Sequence, residues 1–353
     1  MSESETEQPE VVEPGIEQFG VAPHATAPAT SPATLCSIGE AAVLRRIFPR
    51  LPDAAAALIG PGDDAAVLAA PDGRFVVTTD TMVHGPDFRL AWSRPADLGW
   101  KAAATNLADI AAMGARPTGL VVALAAPAGT PVKFLEDLAD GLRMACEALA
   151  PGCGVVGGDL AVSATLVIAV TAFGDLEGRD PVLRSGARPG DRVAVSGPLG
   201  LAAEGLALLF ERAVDDRGVP DSARVAELRV AHPEALAAQL TPRPPLADGP
   251  AAARAGATAM LDLSDGLAID ARRVADASGV CVDLSRAAIG SELALTGGED
   301  HALLATFPPD VELPSGFRDI GRVISGSGLS LDGTPYTGRG GWDPYADWDG
   351  RGD

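Results

Sequence analysis

Apolar residues in the first half of the chain follow strand spacing and helix spacing in turn. Strands are predicted at 74–83, 118–127 and 164–175, and helices at 94–117 and 131–149. The first of these helices has Pro95 in its opening turn and Gly114 near its end, which are ordinary start and stop signals. This order of elements predicts an α+β domain.

A turn-rich segment interrupts the pattern at residues 176–191 and indicates a domain boundary. A strand, a turn and a helix then follow twice, at 192–210 and 257–279, and further strands are predicted at 279–285 and 299–308. The opening segment has no apolar period and is rich in Glu, Pro, Ala, Thr and Ser. We therefore predict a disordered acidic tail at 1–34 and two domains, at 35–178 and 179–353.

The composition fits a chain of 353 residues with cores of small aliphatic side chains, since aromatic residues make up 4%. No run of apolar residues approaches the length of a membrane span. The acidic start resembles no signal peptide. We expect a cytoplasmic protein.

Charge excludes some partners. The 48 acidic and 27 basic residues give a net charge of −21, which repels nucleic acid and anionic membranes. It also repels a phosphorylated substrate unless metal ions neutralise the site. The four cysteines lack C-x-x-C spacing and predict no disulfide framework. No G-x-x-x-x-G-K-[ST] motif is present, so a P-loop is excluded.

Two adjacent carboxylates, Asp63 and Asp64, stand in the stretch GPGDDAAVL at 60–68. Two readings are open for them. Gly-Pro-Gly-Asp-Asp is good turn chemistry and fits a solvated turn. Alternatively, a bound cation offsets the repulsion between the two charges.

Other carboxylates occur in similar settings, at the ends of predicted strands: Asp80, Asp159, Asp262 and Asp265. On the small-residue helix, Lys101, Thr105, Asn106 and Asp109 fall within an arc of about 140°. Each feature also has a plain structural reading, as a turn residue, a helix N-cap or a solvated face. Together they favour Mg²⁺ bound by aspartates and substrate phosphates in a cleft.

Seven motifs occur in an order that resembles the thiamine-monophosphate kinases: GDDAAVL, TTDT, NLADIAAMGA, GGD, RSGARPGD, LDLSDGL and GGED. That family belongs to the superfamily of aminoimidazole ribonucleotide synthetase and selenophosphate synthetase. The resemblance covers the chain from about residue 37. It implies an α+β, two-domain, aminoimidazole-ribonucleotide-synthetase-like fold. The N-terminal sheet would pair across a homodimer, and the C-terminal domain would be an α/β sandwich.

The implied activity is direct, Mg²⁺-assisted, in-line transfer of the ATP γ-phosphoryl group to thiamine monophosphate. Residues matching metal positions are Asp64, Thr78, Thr79, Asp80, Asp109, Asp159, Asp262 and Asp265. Residues matching ATP contacts are Gly158, Asp159, Arg184 and Ser264. We expect Asp64, Asp80, Asp109, Asp262 and Arg184 to carry the catalysis. Arg184, together with Lys101, is expected to help offset the charge of two polyanions.

Three residues are implied in substrate binding. Glu299 of GGED matches a substrate-contacting position. Asp87 stands where many relatives carry histidine or asparagine, and Trp342 takes the aromatic position of the C-terminal motif. Trp342 is predicted to stack on a substrate ring or, alternatively, to cover the core.

Two rival functions remain at this point. One is a superfamily relative that uses another phosphoryl acceptor. However, Cys36 lacks the neighbouring lysine typical of selenophosphate synthetases. The other is a non-catalytic nucleotide-binding scaffold, which the retained carboxylates disfavour.

Overall fold

A computed structural model gives the structure of residues 32–61, 65–338 and 340–341. Its helices are α1 (Leu35–Ile38), α2 (Glu40–Ile47), α3 (Pro95–Ala112), α4 (Val132–Leu149), α5 (Leu201–Arg212), α6 (Ser222–Ala231), α7 (Pro233–Leu240), α8 (Asp248–Arg254), α9 (Leu267–Ser278), α10 (Arg286–Ile289) and α11 (Glu292–Thr296). Its strands are β1 (Ala57–Ile59), β2 (Val67–Leu68), β3 (Val76–Val83), β4 (Arg116–Ala126), β5 (Gly154–Val162), β6 (Val167–Asp175), β7 (Arg192–Ser196), β8 (Ala259–Leu263), β9 (Cys281–Leu284), β10 (Ala302–Phe307), β11 (Phe317–Ile324), β12 (Gly328–Leu331) and β13 (Thr334–Pro335).

A four-stranded sheet of order β3-β6-β4-β5 forms the first half of the fold. Its β4–β5 pair is parallel and its other pairs are antiparallel. The buried faces of α3 and α4 share one apolar core with this sheet. The two helices touch backbone to backbone, because a Cβ on Gly99 would lie 2.0 Å from the Leu138 carbonyl oxygen and one on Gly141 would lie 2.1 Å from that of Ala96. Both positions therefore require glycine, and α3 is held firmly against the sheet.

A seven-stranded sheet of order β13-β12-β9-β11-β7-β10-β8 forms the second half. Strand β10 lies between β7 and β8 and is antiparallel to both. All five residues of β8 are buried, and α9 follows after a short turn. The end of β8 and the loop entering β10 therefore lie side by side, where the sequence places LDLSDGL and GGED.

Most long elements match their predictions. The helix predicted at 94–117 is α3, and the one at 131–149 is α4. The strands predicted at 74–83, 118–127 and 164–175 are β3, β4 and β6. Helices α6 and α7 and strand β11 were not predicted. The four-stranded sheet lies before the predicted domain boundary in sequence, and the seven-stranded sheet lies after it. The domain limits themselves stay a prediction.

Several predictions fall on residues that the structure does not describe. They concern Asp63, Asp64, Trp342 and nearly all of the tail at 1–34. Among the described residues, no helix is long and apolar enough to span a membrane.

Candidate active site

Seven predicted site residues line a single cavity of about 540 Å³. They are Thr78 and Asp80 on β3, Asp109 on α3, Arg184 in the segment joining the two halves, and Asp262, Ser264 and Asp265 at the end of β8. The cavity thus collects residues from both halves of the chain, up to about 190 positions apart in sequence. Of the four strand-end carboxylates predicted to converge, Asp80, Asp262 and Asp265 do so here.

The polar arc of α3 faces strand β3. Thr78 Oγ1 donates to Asp109 Oδ2 at 2.9 Å, and the backbone N–H of Asp80 donates to Asn106 Oδ1 at 3.1 Å. Asn106 is 1% exposed and Lys101 is 6% exposed. The arc is therefore not a solvated surface, and it helps to fix the two carboxylates of the first half.

The carboxylates lie close enough to affect one another. Burial, followed by the negative charges of Asp262 and Asp80, raises the pKa of Asp109 to about 7. Partial burial and the charge of Asp262 also raise the pKa of Asp80. Among the described residues, no group of three or more His, Cys, Asp or Glu side chains is arranged to hold a metal ion. The described lining of this cavity has four carboxylates, Asp80, Asp109, Asp262 and Asp265, against the guanidinium groups of Arg184 and Arg273, and so carries an excess of negative charge.

Two further side chains, which the sequence did not single out, line the same cavity. His301 follows GGED directly and places Nδ1 3.2 Å from Asp262 Oδ2. Arg273 on α9 donates at 2.6 Å both to Asp265 and to the buried Asp270. Only the position of His301 next to a recognised motif could have indicated it from sequence. Arg273 had no such signal.

Glu299 lies at a second polar cluster, beside α3 and α7. Lys101 Nζ lies 2.6 Å from Glu299 Oε2, and Gln239 Nε2 donates to the same oxygen at 2.5 Å. Burial works to raise the pKa of Glu299, but the charge and hydrogen bond of Lys101 outweigh it, and the pKa lies below its ordinary value. Lys101 is thus engaged by Glu299 and does not line the cavity of Asp80 and Asp109, where its charge was expected to act.

Asp87 belongs to the surroundings of this cluster. Its Oδ2 accepts the backbone N–H of Val83 at 2.6 Å. Burial raises the pKa of Asp87, and the charges of Glu299 and Lys101 both reach it. Asp87 and Glu299, both predicted as substrate contacts, therefore lie near each other, although they are more than 200 residues apart in sequence.

Gly158 and Asp159 do not line the cavity of Asp80 and Asp109. They line a larger cavity, of about 860 Å³, on the face of the four-stranded sheet that α3 and α4 leave open. Thr79 lies on that open face too, because side chains alternate along β3 and Thr79 Oγ1 meets Thr171 Oγ1 at 3.1 Å. The smaller cavity is the candidate active site, since it holds the converging carboxylates, Arg184 and Ser264, whereas apolar side chains dominate the larger one.

Comparisons with known proteins identify a domain family and named relatives. A family model for the AIR synthase related protein, N-terminal domain, matches residues 62–176. A thiamine-monophosphate kinase from Mycobacterium tuberculosis is 46% identical over 342 residues, which span 92% of this chain and 97% of that protein.

Solved structures give the same result for the fold. A crystal structure of thiamine-monophosphate kinase from Stenotrophomonas maltophilia matches with a TM-score of 0.71 at 31% identity, covering 83% of this chain and 97% of that one. A complex of AaThiL with AMPPCP and TMP matches with a TM-score of 0.65 at 31% identity, covering 79% and 90%. The predicted fold family is confirmed.

Proposed function

The chain belongs to the thiamine-monophosphate kinase family, and from that premise we propose that it transfers the γ-phosphoryl group of ATP to thiamine monophosphate. The products are thiamine diphosphate and ADP. One observation of this chain carries the proposal: Asp80, Asp109 and Asp262 converge with Arg184 and Ser264 in one cavity. A relative whose structure holds AMPPCP together with TMP supports the same pair of substrates.

The donor set fits Mg²⁺ that arrives with ATP. Mg²⁺ prefers oxygen ligands and usually binds through one or two carboxylates plus substrate phosphates. Asp80, Asp109 and Asp262 supply such oxygens. The raised pKa values of Asp80 and Asp109, due to burial and the nearby negative charge of Asp262, indicate charge that a cation would offset. Thr78, Asp265 and, from the sequence, Asp64 lie in the same predicted set. Bound Mg²⁺ would neutralise charge on the ATP phosphates during transfer.

The chain's own residues then mainly position the substrates and neutralise the charge on their phosphates. Arg184 can pair with phosphate oxygens, and Ser264 offers a hydroxyl at the same cavity. The acceptor is itself a phosphate that is largely ionised near neutral pH, so no strong general base is needed. We propose direct in-line transfer, for which inversion at the transferred phosphorus is expected. Retention would indicate a phosphoenzyme and overturn this step.

The function is tested by measuring ADP release from ATP and Mg²⁺ with and without thiamine monophosphate, while thiamine diphosphate is quantified by chromatography. Equal amounts of ADP and thiamine diphosphate, formed only with the acceptor, support the kinase. ADP without thiamine diphosphate keeps the ATP site and points to another phosphoryl acceptor. ATP binding without turnover over all acceptors indicates a scaffold.

We also propose the homodimer that the resemblance implies. The open face of the four-stranded sheet carries exposed apolar side chains, with Phe75 58% and Val77 54% exposed. Together with the apolar lining of the large cavity on the same face, they form a surface typical of an interface between proteins. Light scattering should give twice the mass of the chain, and a monomeric mass would contradict the proposal. The cytoplasmic location stays a prediction from the sequence.

A further inference from the structure

Two side chains from different parts of the fold bind the same oxygen of Glu299. Lys101 comes from α3 and Gln239 from α7, and both contact Oε2, at 2.6 Å and 2.5 Å. The Lys101 side chain is 7% exposed, so its ammonium group has few other partners available. Burying a lysine is costly unless its charge is paired. The ion pair of Lys101 and Glu299 is therefore a specific part of this buried polar cluster.

The backbone that carries Glu299 is held in an unusual conformation. Glu299 has φ +67° and His301 has φ +50°, values that non-glycine residues rarely adopt. Their N–H groups donate to the carbonyls of Ser264 and Leu263, at 2.7 and 3.0 Å. Between them, the Asp300 carboxylate accepts the N–H groups at the start of α5. The fold thus maintains the strain, as is common at functional sites.

Polar atoms around Glu299 remain available for a ligand. Oε1 of Glu299 accepts no hydrogen bond from another described residue, and the side chain is 36% exposed. Within the described chain, the buried Oε1 of Gln239 and Nε2 of His301 also lack hydrogen-bond partners. Buried polar groups are normally satisfied, and exceptions often mark a site that a ligand completes.

Resting on the proposed function, we propose that Lys101 and Gln239 are positioning residues for acceptor selection. They hold Oε2 of Glu299 so that Oε1 is presented to the nitrogen-bearing, cationic heterocycle of the acceptor. Lys101 also helps to keep the carboxylate ionised in a partly buried place, through both its charge and its hydrogen bond. On this view Lys101 acts through Glu299 and makes no contact with the transferred phosphoryl group.

The alternative is that Lys101 neutralises phosphate charge directly. A double-mutant cycle separates the two roles. Lys101→Met, Glu299→Gln and the double variant are compared for kcat, for KM of thiamine monophosphate and for KM of ATP. Lys133→Met is the matched control, because Lys133 is the other lysine of the chain and forms an exposed ion pair with Asp137.

We expect Lys101→Met to raise KM for thiamine monophosphate on the order of 10- to 100-fold and to leave KM for ATP within about threefold. In the Glu299→Gln background the same change should add less than about threefold, and Lys133→Met should match wild type. An equal effect in both backgrounds, or a loss confined to kcat, overturns the inference.

A melting curve tests whether Lys101→Met is folded. If it is not, a second variant keeps the test decisive. Gln239→Leu conserves much of the volume and removes only the neutral hydrogen bond. It should raise KM for thiamine monophosphate in the same direction by a smaller factor, and unchanged kinetics would overturn the role of Gln239. The two levels of proposal fail separately: no thiamine diphosphate from the wild-type chain refutes the function, whereas an active wild type with an additive cycle refutes only the positioning role.

Discussion

Asp109 and Glu299 mark two ends of the polar face of α3, since Asp109 belongs to that face and Glu299 pairs with its Lys101. The charges around the two carboxylates have opposite effects on their pKa values. At Asp109, burial and the neighbouring charges of Asp262 and Asp80 all disfavour ionisation and raise the pKa to about 7. At Glu299, burial is outweighed by Lys101, and the pKa falls below its ordinary value. The Asp109 end has more carboxylates than cations even with Arg184 and Arg273, whereas at the other end Lys101 pairs with Glu299.

The difference in charge indicates which kind of ligand suits each end. A cluster with excess carboxylates suits a ligand that brings cations with it, as a magnesium–nucleotide complex does. A carboxylate with a fixed cationic partner on one oxygen suits recognition through its other oxygen, with no ion in between. The carboxylates at the first end therefore destabilise the fold, whereas the ion pair at the second end holds the Glu299 side chain in one orientation.

The largest expected effect comes from removing one charge at the end with excess negative charge. Asp262→Asn should lower kcat by on the order of 10³-fold, because a group that orders charge around the transferred phosphoryl is lost. Acceptor-dependent formation of thiamine diphosphate is the measurement. Asp310→Asn, at an exposed turn position, is the matched control and should behave as wild type. Turnover of the Asp262 variant within threefold of wild type would refute a role for this carboxylate.

A smaller effect is expected on stability when metal is removed with EDTA. The folded chain holds the Asp109 proton more tightly than the unfolded chain does, since the pKa rises from 3.8 to about 7. This contribution to stability is complete below pH 3.8 and is lost as the pH rises through about 7. Asp109→Asn keeps an acceptor for the Thr78 hydroxyl and has no charge to lose. At pH 8 it should exceed wild type by on the order of 1–3 kcal/mol in the free energy of unfolding.

Urea unfolding at pH 5 and pH 8 checks this prediction. The advantage of the asparagine variant should shrink at pH 5, and Asp310→Asn should show no comparable change. Equal stability of the Asp109 variant and wild type at pH 8 would show that the carboxylate cluster is not strained in the metal-free protein.

The smallest effect concerns Arg273, a cation at the end with excess negative charge. Its guanidinium joins Asp265 to Asp270, whose side chain is 1% exposed. Arg273→Gln should cost about 1 kcal/mol of unfolding free energy at pH 8. The loss is limited because Asp270, whose pKa is already raised to about 7 chiefly by burial, can take up a proton instead. The loss should therefore be smaller at pH 6. Arg254→Gln, an exposed arginine, is the control, and a cost independent of pH would contradict the argument.

Local signals explain what the sequence predicted of this fold. Helix α3 was located because Pro95 and Gly114 mark its ends and small residues fill it. The cavity carboxylates were found because strand ends gather in one crevice, so that Asp80 and Asp262 could be grouped without a structure. Helices α6 and α7 were missed because the segment at 221–240 mixes apolar and charged residues without a clear stripe, and a glutamine such as Gln239 carries no motif.

The contact between Lys101 and Glu299 could not be predicted by such signals. The two residues are 198 positions apart, and the interpretation of Lys101 as a partner of phosphates used only its charge. Likewise, Thr79 and Asp159 belong to metal motifs in sequence, but strand alternation and sheet order place them on the open face. Which face a residue occupies depends on pairing register, and that is a property of the whole sheet.

Helix α3 also fixes the distance between the two ends of its polar face. Lys101 and Asp109 stand on it eight residues apart, a rise of about 12 Å along the axis, and they anchor the two ends compared above. The backbone contacts at Gly99 and Gly141 prevent this helix from sliding along α4. Inserting a single residue between Lys101 and Asp109 would increase their separation along the helix axis by about 1.5 Å. It would also rotate one side chain relative to the other by about 100° about that axis. The distance between the Lys101 and Asp109 ends is thus fixed by the length of one helical segment.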